Sequence, residues 1–277
     1  MKVLVTGARG MLARAVLQEL ESTCELTGRD VHDLDICDAG LVSREIAALR
    51  PDCIINCAAF TDVDGCESRS GEAFAVNADG VRNLAAAAAA SGSMLYHIST
   101  DFVFDGTSLA PYAEQDEPNP LSVYGRSKLQ GELHVQSILD RYVIVRTSWL
   151  FGRGGKNFVE TIRRLARERQ ELRVVNDQTG CPTHAADLAR AIRALMEAPA
   201  QGLYHVCNAG SCTWYDFAVK IVALTGGTAR VVPTTAAELD RPAARPACSV
   251  MDCSRLARET GFRPKPWEDA LREYLGE

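Results

Sequence analysis

The segment Lys2-Val-Leu-Val-Thr-Gly-Ala-Arg-Gly-Met-Leu-Ala13 decides the fold of this chain. The apolar run Val3–Thr6 predicts a short buried strand, and a helix is expected to begin near Gly10. Gly7 permits a tight turn, Gly10 lets the backbone approach a pyrophosphate at the helix N-terminus, and Ala13 allows close helix–strand packing. The spacing differs from the Gly-x-Gly-x-x-Gly fingerprint, so an ordinary strand-to-helix turn stays open as the alternative.

Strand-like apolar runs alternate with helical patterns through the first half of the chain. Further strands are expected at Cys24–Thr27, Cys53–Asn56, Met94–Ser99 and Tyr142–Arg146, and helices at Leu41–Leu49, Ala73–Ala90 and Tyr124–Leu139. Strands separated by helices in this order predict an α/β fold with a Rossmann-like, doubly wound parallel sheet and right-handed crossovers.

The pattern becomes less regular after about residue 149. A charged helix is expected at 157–170, a short strand at 172–176 and a turn-rich loop at 177–183. The helix 185–196 and the strand 202–207 then return to the first sheet. We therefore expect a Rossmann domain of residues 1–148 with about 184–208, and a smaller, discontinuous α/β C-terminal lobe of about 149–183 and 209–277.

Composition and charge exclude several classes of protein. The net charge of -6 without a long basic run argues against nucleic acid as a partner. The first apolar run breaks at Thr6-Gly7, as in a strand rather than a signal peptide, and no apolar stretch approaches the roughly 20 residues of a membrane helix. The ten cysteines lack metal-site spacing and suit a reduced, cytoplasmic protein with no metal.

Two stretches follow the second and third predicted strands. Arg29 and Asp30 end the second strand, where an acidic residue holds the ribose of NAD and an arginine holds the 2′-phosphate of NADP. Because both are present, NADPH and NADH stay open as cofactors. Asp35-Ile36 lies either at the adenine or before the next helix, and Ala59-Phe-Thr61 lies either against the cofactor or in close packing.

A hydroxyl, a phenol and an ammonium group form the candidate catalytic set. Thr100 ends a strand, and Tyr124 and Lys128 lie one turn apart on one face of a helix. Tyr124 can protonate a carbonyl oxygen, and Lys128 is expected to lower the tyrosine pKa by its positive charge and to hold the nicotinamide ribose. The combination predicts hydride transfer to or from a carbonyl carbon.

The chain resembles the extended short-chain dehydrogenases/reductases, and within them the dTDP-4-dehydrorhamnose reductase family. The matching segments are Gly7–Leu12, Ile55–Thr61, Phe74–Asn77, Ser99–Gly106, Tyr124–Lys128, Arg146–Gly152, Asn176–Thr183 and Arg245–Ser249. The segments at 99–106, 146–152 and 176–183 are specific to this reductase family rather than to the wider superfamily.

The resemblance implies the roles of individual residues. Thr100, Tyr124 and Lys128 would be catalytic, and Thr100, Asp101 and Trp149 would contact the sugar. The cofactor-binding residues would be Gly7, Gly10, Met11, Leu12, Arg29, Asp30, Asp35, Ile36, Ala59, Phe60 and Thr61, with Tyr124 and Lys128. The Rossmann domain would bind NAD(P), and the smaller lobe would bind the nucleotide sugar.

The resemblance also implies a reaction. It is the reduction by NADPH or NADH of the C4 keto group of dTDP-4-dehydro-6-deoxy-L-mannose to dTDP-L-rhamnose, with a dTDP-linked deoxysugar as partner. Related 4,6-dehydratases have glutamate where Phe102 stands, so elimination lacks its base here. Some relatives carry a glutamate on the first helix that bridges a metal-linked dimer, whereas this chain has Ala13-Arg-Ala15, so the chain is expected to be a monomer or a homodimer without bridging metal.

Two other functions remain open from the sequence. The regulatory subunit of methionine adenosyltransferase is similar to this reductase family and acts as an NADP-binding protein. A reductase or epimerase of another nucleotide sugar is the second alternative.

Overall fold

The first strand establishes the pattern of the whole sheet. In the computed structural model, which describes residues 1–276, Val3, Leu4 and Val5 are all buried although their side chains alternate between the two faces. A strand that is apolar on both faces is covered on both, as in parallel sheets flanked by helices. The strands are β1 Lys2–Thr6, β2 Glu25–Arg29, β3 Cys53–Asn56, β4 Met94–Thr100, β5 Tyr142–Thr147, β6 Leu150–Phe151, β7 Glu171–Val175, β8 Thr179–Gly180, β9 Thr183–His184, β10 Gly202–His205, β11 Cys212–Thr213 and β12 Arg230–Thr234.

Six strands form the central sheet in the order β10-β5-β4-β3-β1-β2, and every neighbouring pair is parallel. The register pairs Thr6 with Arg29 on one side and with Asn56 on the other, so the carboxyl ends of β1, β2 and β3 lie at one edge of the sheet. The strand order reverses between β1 and β3, which is where open α/β sheets bind ligands. The predicted Rossmann-like fold is confirmed.

Twelve α-helices lie among the described residues. They are α1 Met11–Leu20, α2 Ala39–Leu49, α3 Val63–Ser68, α4 Ser70–Phe74, α5 Gly80–Ser91, α6 Val123–Ile138, α7 Phe158–Glu168, α8 Ala185–Glu197, α9 Trp214–Leu224, α10 Ala236–Leu239, α11 Ser254–Thr260 and α12 Trp267–Leu275. Buried side chains of α1 and α8 pack on one face of the sheet, and those of α2, α5 and α6 pack on the other.

A separate apolar cluster forms the core of the smaller lobe. It joins Phe151, Ile162, Phe217 and Trp267 to the parallel pair β7–β12. All its members come from residues 149–174 and 212–275, on either side of α8 and β10. The two domains with the boundaries given above stay a prediction.

Two predicted elements differ in detail from the structure. The helix expected over 73–90 is interrupted by a π-helical turn at Ala75–Asp79, where Asn77 is fully buried. The second strand covers Glu25–Arg29 rather than only the apolar run Cys24–Thr27, and Gly28 pairs in register with Val5. Its end at Arg29 agrees with the expectation that Arg29 and Asp30 end this strand.

Residues 1–276 contain neither a membrane-spanning helix nor a cluster of metal-ligating side chains. None of their helices is long and apolar enough to cross a bilayer. Within the same residues, no cluster of three or more His, Cys, Asp or Glu side chains is arranged to hold a metal ion.

Candidate active site

The turn between β1 and α1 is shaped to receive an anionic group. Gly7 has a φ of +64°, and a Cβ there would lie 2.9 Å from the backbone of Ala58. Gly10 caps α1 without a side-chain hydrogen bond, and the first turn carries no acidic residue. The amide groups of Met11 and Leu12 are therefore at the positive end of the helix dipole, which fits the pyrophosphate of a dinucleotide.

Both candidate ribose-binding residues lie beside this turn. The Asp30 carboxylate accepts hydrogen bonds from the backbone N–H groups of Arg9 (3.0 Å) and Val31 (2.9 Å), so it also stabilises the turn. The Arg29 Nε donates to Glu45 at 2.7 Å, and the Arg29 side chain is one third exposed. The structure therefore leaves both an acidic and a basic group at the end of β2.

Asp35 and Ile36 mostly contact neighbouring residues of the protein. Asp35 accepts a hydrogen bond from the backbone N–H of Cys37 at 2.9 Å, and Ile36 is only 4% exposed. A Cβ on Gly80 would lie 2.7 Å from Ile36, so the isoleucine packs tightly on the start of α5. Its contribution to cofactor binding stays a prediction.

Asn77 connects the loop after β3 to the helix of the tyrosine. Its Oδ1 accepts from the Phe60 N–H at 2.8 Å, and its Nδ2 donates to the Phe60 carbonyl and to Ser127 Oγ, both at 3.0 Å. Ser127 Oγ in turn donates to the Tyr124 carbonyl at 2.8 Å. The segment Ala59-Phe-Thr61 is thus fixed relative to α6 by a residue whose role the sequence analysis missed, although it lies in the matching segment 74–77.

Thr100 and Tyr124 meet at the end of β4. The Phe102 N–H donates to Thr100 Oγ1 at 3.2 Å, and Oγ1 donates to Asp101 Oδ1 at 3.1 Å. Burial raises the pKa of Tyr124 above its usual value, and a hydrogen bond with Thr100 partly opposes this effect. The Tyr124 phenol therefore keeps its proton at neutral pH, which is the form that an acid needs.

Helix α6 positions Tyr124 by a very close approach to the strand end. Ser122 caps the helix by accepting from the Gly125 N–H at 3.2 Å, and the Phe102 ring meets the Tyr124 ring edge-on at 5.5 Å. A Cβ on Gly125 would lie 2.2 Å from the Phe102 carbonyl oxygen. Only glycine permits this contact.

Lys128 is buried beneath the same helix. Its Nζ donates to the Ile98 carbonyl at 2.6 Å, and burial lowers its pKa to about 8. The expectation that its charge lowers the pKa of Tyr124 is not met in this structure, because burial dominates the tyrosine and the ammonium group is directed to the Ile98 carbonyl.

A narrow cleft of about 50 Å³ contains the predicted sugar-binding residues Asp101 and Trp149. Burial raises the pKa of Asp101 to about 7, and its Oδ2 accepts from Ser249 Oγ at 2.5 Å. Trp149 has a φ of +46° and stacks on Trp214 with ring centroids 3.5 Å apart. Sequence reasoning missed Trp214, because no local signal connects it to Trp149.

A second cavity of about 320 Å³ shares Gln178, Arg241 and Arg245 with the cleft. Arg245 forms two hydrogen bonds to Asp64, at 2.9 and 3.1 Å, and so joins this region to α3. A larger cavity of about 500 Å³ has none of the predicted sugar-binding residues Thr100, Asp101 and Trp149 in its lining, whereas the cleft has two of them. We therefore take the cleft with the adjoining cavity as the candidate substrate site.

Comparison with known proteins agrees with this geometry. The family model described as the RmlD substrate binding domain matches residues 1–277. The dTDP-4-dehydrorhamnose reductase of Streptomyces griseus is 44% identical over 280 residues, which cover 98% of this chain and 91% of the relative.

Two solved structures extend the comparison to three dimensions. The dTDP-4-dehydrorhamnose reductase of Clostridium acetobutylicum superposes with a TM-score of 0.98 at 44% identity, covering 100% of this chain and 99% of the other. That of Bacillus anthracis, solved in complex with NADP, gives 0.96 at 40% identity, covering 99% and 98%. The resemblance inferred from sequence motifs is confirmed, and the chain belongs to the RmlD substrate binding domain family.

Proposed function

We propose that the protein is an NAD(P)H-dependent reductase that converts dTDP-4-dehydro-6-deoxy-L-mannose to dTDP-L-rhamnose. The observation that carries this proposal is the placement of Thr100, Tyr124 and buried Lys128 around the end of β4, next to the cleft of Asp101 and Trp149. Family membership over the full chain and the names of its relatives support the same reaction.

Different residues of the chain bind the cofactor and donate the proton. The turn of Gly7 and Gly10, with the first amide groups of α1, would hold the pyrophosphate of NADPH or NADH. When bound there, the dihydronicotinamide would supply the hydride that reduces the C4 carbon of the sugar. Tyr124 donates its phenolic proton to the C4 oxygen, so that the carbonyl becomes a hydroxyl, and the tyrosinate then recovers a proton from solvent.

Thr100 and Lys128 prepare this proton transfer. Thr100 Oγ1 lies at the end of β4 near Tyr124, where it would donate a hydrogen bond to the C4 oxygen of the bound sugar. Lys128, whose ammonium group donates to the Ile98 carbonyl, would hold the nicotinamide ribose beside Tyr124. The stacked indole of Trp149 offers an apolar face to the C–H groups of the pyranose.

Phe102 favours simple reduction over dehydration. The corresponding glutamate of 4,6-dehydratases is the acid/base group for removing water, and here an aromatic ring packs on Tyr124 instead. The remaining carboxylate, Asp101, is buried and bound to Ser249.

The experiment is a coupled assay in which the 4-keto sugar nucleotide is generated in situ and the loss of NADPH or NADH absorbance is followed. We expect substrate-dependent oxidation of the cofactor and formation of dTDP-L-rhamnose. UDP- and GDP-linked 4-keto sugars serve as matched substrates for the alternative of another nucleotide sugar. Absence of turnover with all of them, together with co-purification with a methionine adenosyltransferase, would instead support the regulatory-subunit alternative.

A further inference from the structure

A buried ion pair lies one helical turn beyond Lys128. Glu132 on α6 accepts from Arg146 on β5 through Nε (2.9 and 3.2 Å) and Nη2 (2.6 Å). The two side chains are only 1% and 3% exposed, respectively. This is the most deeply buried ion pair among residues 1–276, and the mechanism above does not use it.

Glu132 also contacts the strand that carries Thr100. Ser99 Oγ donates to Glu132 Oε1 at 2.5 Å, and Ser99 immediately precedes Thr100 at the end of β4. The carboxylate therefore binds β4 and β5 side by side next to Thr100. A shift of this strand end would move Thr100.

Glu132 faces Lys128 as well, because residues four apart share one face of a helix. The titratable groups around Lys128 are Tyr124 and Glu132 on α6, Cys57 after β3 and His97 on β4. His97 is buried and Cys57 is half-buried, and desolvation raises the thiol pKa to about 12 and lowers the imidazole pKa well below its usual value. Both groups are thus neutral, which leaves Glu132 as the anion that opposes the Lys128 charge.

A contribution to stability does not by itself explain why the Glu132–Arg146 ion pair is buried here. Removing two charges from water costs several kcal/mol per ion, and well-packed apolar side chains often replace such a pair without loss of stability. The carboxylate here is placed between a catalytic-site strand and a catalytic-site lysine, where its charge and its hydrogen bonds both affect the reaction.

We propose that Glu132 is a positioning residue of the reduction, which keeps Lys128 protonated and holds the Ser99-Thr100 strand end in place. This inference rests on the proposed function, since it assigns Lys128 and Thr100 their roles there. Glu132 acts through these neighbours and does not contact the reacting atoms.

The sign of the expected pH effect follows from the charges. Burial has already lowered the pKa of Lys128 to about 8, and the negative charge of Glu132 opposes that shift. Loss of the carboxylate therefore lowers the pKa of Lys128 further, and the lysine loses its proton at a lower pH. We expect the alkaline limb of activity to move down by about one pH unit, which corresponds to a roughly tenfold change in the ionisation constant.

The test uses two variants of the full-length protein. Glu132→Gln removes the negative charge and leaves Arg146 buried without a counter-ion, so it can fail to fold for a structural reason. The double variant Glu132→Gln/Arg146→Met removes both charges and keeps an apolar side chain in the core. Glu160→Gln is the control, since Glu160 also pairs with an arginine and accepts from a tyrosine, but on α7.

Two quantities are measured from neutral to alkaline pH: kcat/KM of the coupled reduction, and the Kd of NADPH from its fluorescence. The proposal is supported if the alkaline limb of both quantities shifts to lower pH in the folded double variant. In Glu160→Gln the limb should stay at the wild-type pH. A wild-type limb in the folded double variant overturns the proposal, and so does a uniform loss of activity without a shift.

The two measurements also separate this inference from the proposed function. If the wild-type protein binds NADPH but reduces none of the 4-keto sugars, the proposed function fails. The pH dependence of NADPH binding then still decides whether Glu132 sets the charge of Lys128.

Discussion

At the scale of single residues, Tyr124 is the group on which the proposed chemistry depends. Its half-buried phenol is protonated at neutral pH and is the proton donor in the proposed reaction. We predict that Tyr124→Phe lowers kcat by about 10²–10⁴-fold, the usual contribution of a general acid. The Kd of NADPH measured by fluorescence should stay close to the wild-type value, because the ring still packs on Phe102. Full turnover by this variant would remove Tyr124 from the role of proton donor.

Asp101 makes the stability of the protein depend on pH. Its pKa is raised from the ordinary 3.8 to about 7, chiefly by burial, so the folded protein holds a proton that the unfolded chain releases between these values. The free energy of unfolding should therefore fall as pH rises through that window, by about 4 kcal/mol in total, and stay at its lower level above it.

Asp101→Asn removes this titration while keeping the shape of the side chain. We predict that the variant gains stability relative to the wild type by a few kcal/mol between pH 4 and pH 8. Urea denaturation at several pH values measures this difference, with Asp140→Asn at an exposed position as the control. A difference that does not change with pH would show that Asp101 is ionised throughout.

At the scale of elements, the approach of α6 to the end of β4 sets the position of Tyr124. We predict that Gly125→Ala destabilises the protein by about 1–3 kcal/mol, because a Cβ would overlap the Phe102 carbonyl, and that it lowers activity more than stability alone explains. Thermal unfolding and the coupled assay measure the two effects.

The matched control is Gly71→Ala in α4, where a Cβ meets nothing within 4 Å. There the substitution should raise stability by about 0.5–1 kcal/mol, as expected for alanine in place of glycine within a helix, without changing activity. Equal effects of the two substitutions would argue against a special contact at Gly125.

Much of the arrangement of helices and strands was predictable from sequence. The alternation of apolar strands and helices predicted the sheet. The sequence also predicted that Thr100, Tyr124 and Lys128 form one site, and their side chains lie near one another because β4 and α6 are adjacent. The π turn at Ala75–Asp79 was not predictable, since its helical pattern looks continuous. The left-handed backbone of Trp149 also depends on contacts with Gly180 that are distant in the sequence.

At the scale of the whole molecule, one contact joins the two sides of the substrate site. Asp64 on α3 binds Arg245, which is 181 residues away in the sequence, and also accepts from the Ala243 N–H at 3.2 Å. The segment 243–249 bound in this way also supplies Ser249 to Asp101. Contacts over such separations depend on the complete fold, and no local pattern in either segment indicates them.

We predict that Asp64→Asn weakens binding of the nucleotide sugar but not of the cofactor. Loss of about 1 kcal/mol at this partly exposed ion pair corresponds to a severalfold increase in the KM of the sugar nucleotide. The Kd of NADPH should stay unchanged. Glu171→Gln, at the exposed pair with Arg230, is the control. If both variants raise KM alike, the effect is one of general surface charge.

The stacked pair Trp149–Trp214 has a spectroscopic consequence. Two of the three tryptophans of the chain lie face to face with planes only 7° apart, and both line the candidate substrate cleft. The third, Trp267, lies in the apolar core of the smaller lobe. Indoles at this separation couple their electronic transitions, so the near-ultraviolet circular dichroism of the protein reports on the geometry of the cleft. A ligand that separates or tilts the rings is thereby visible without turnover, label or added chromophore.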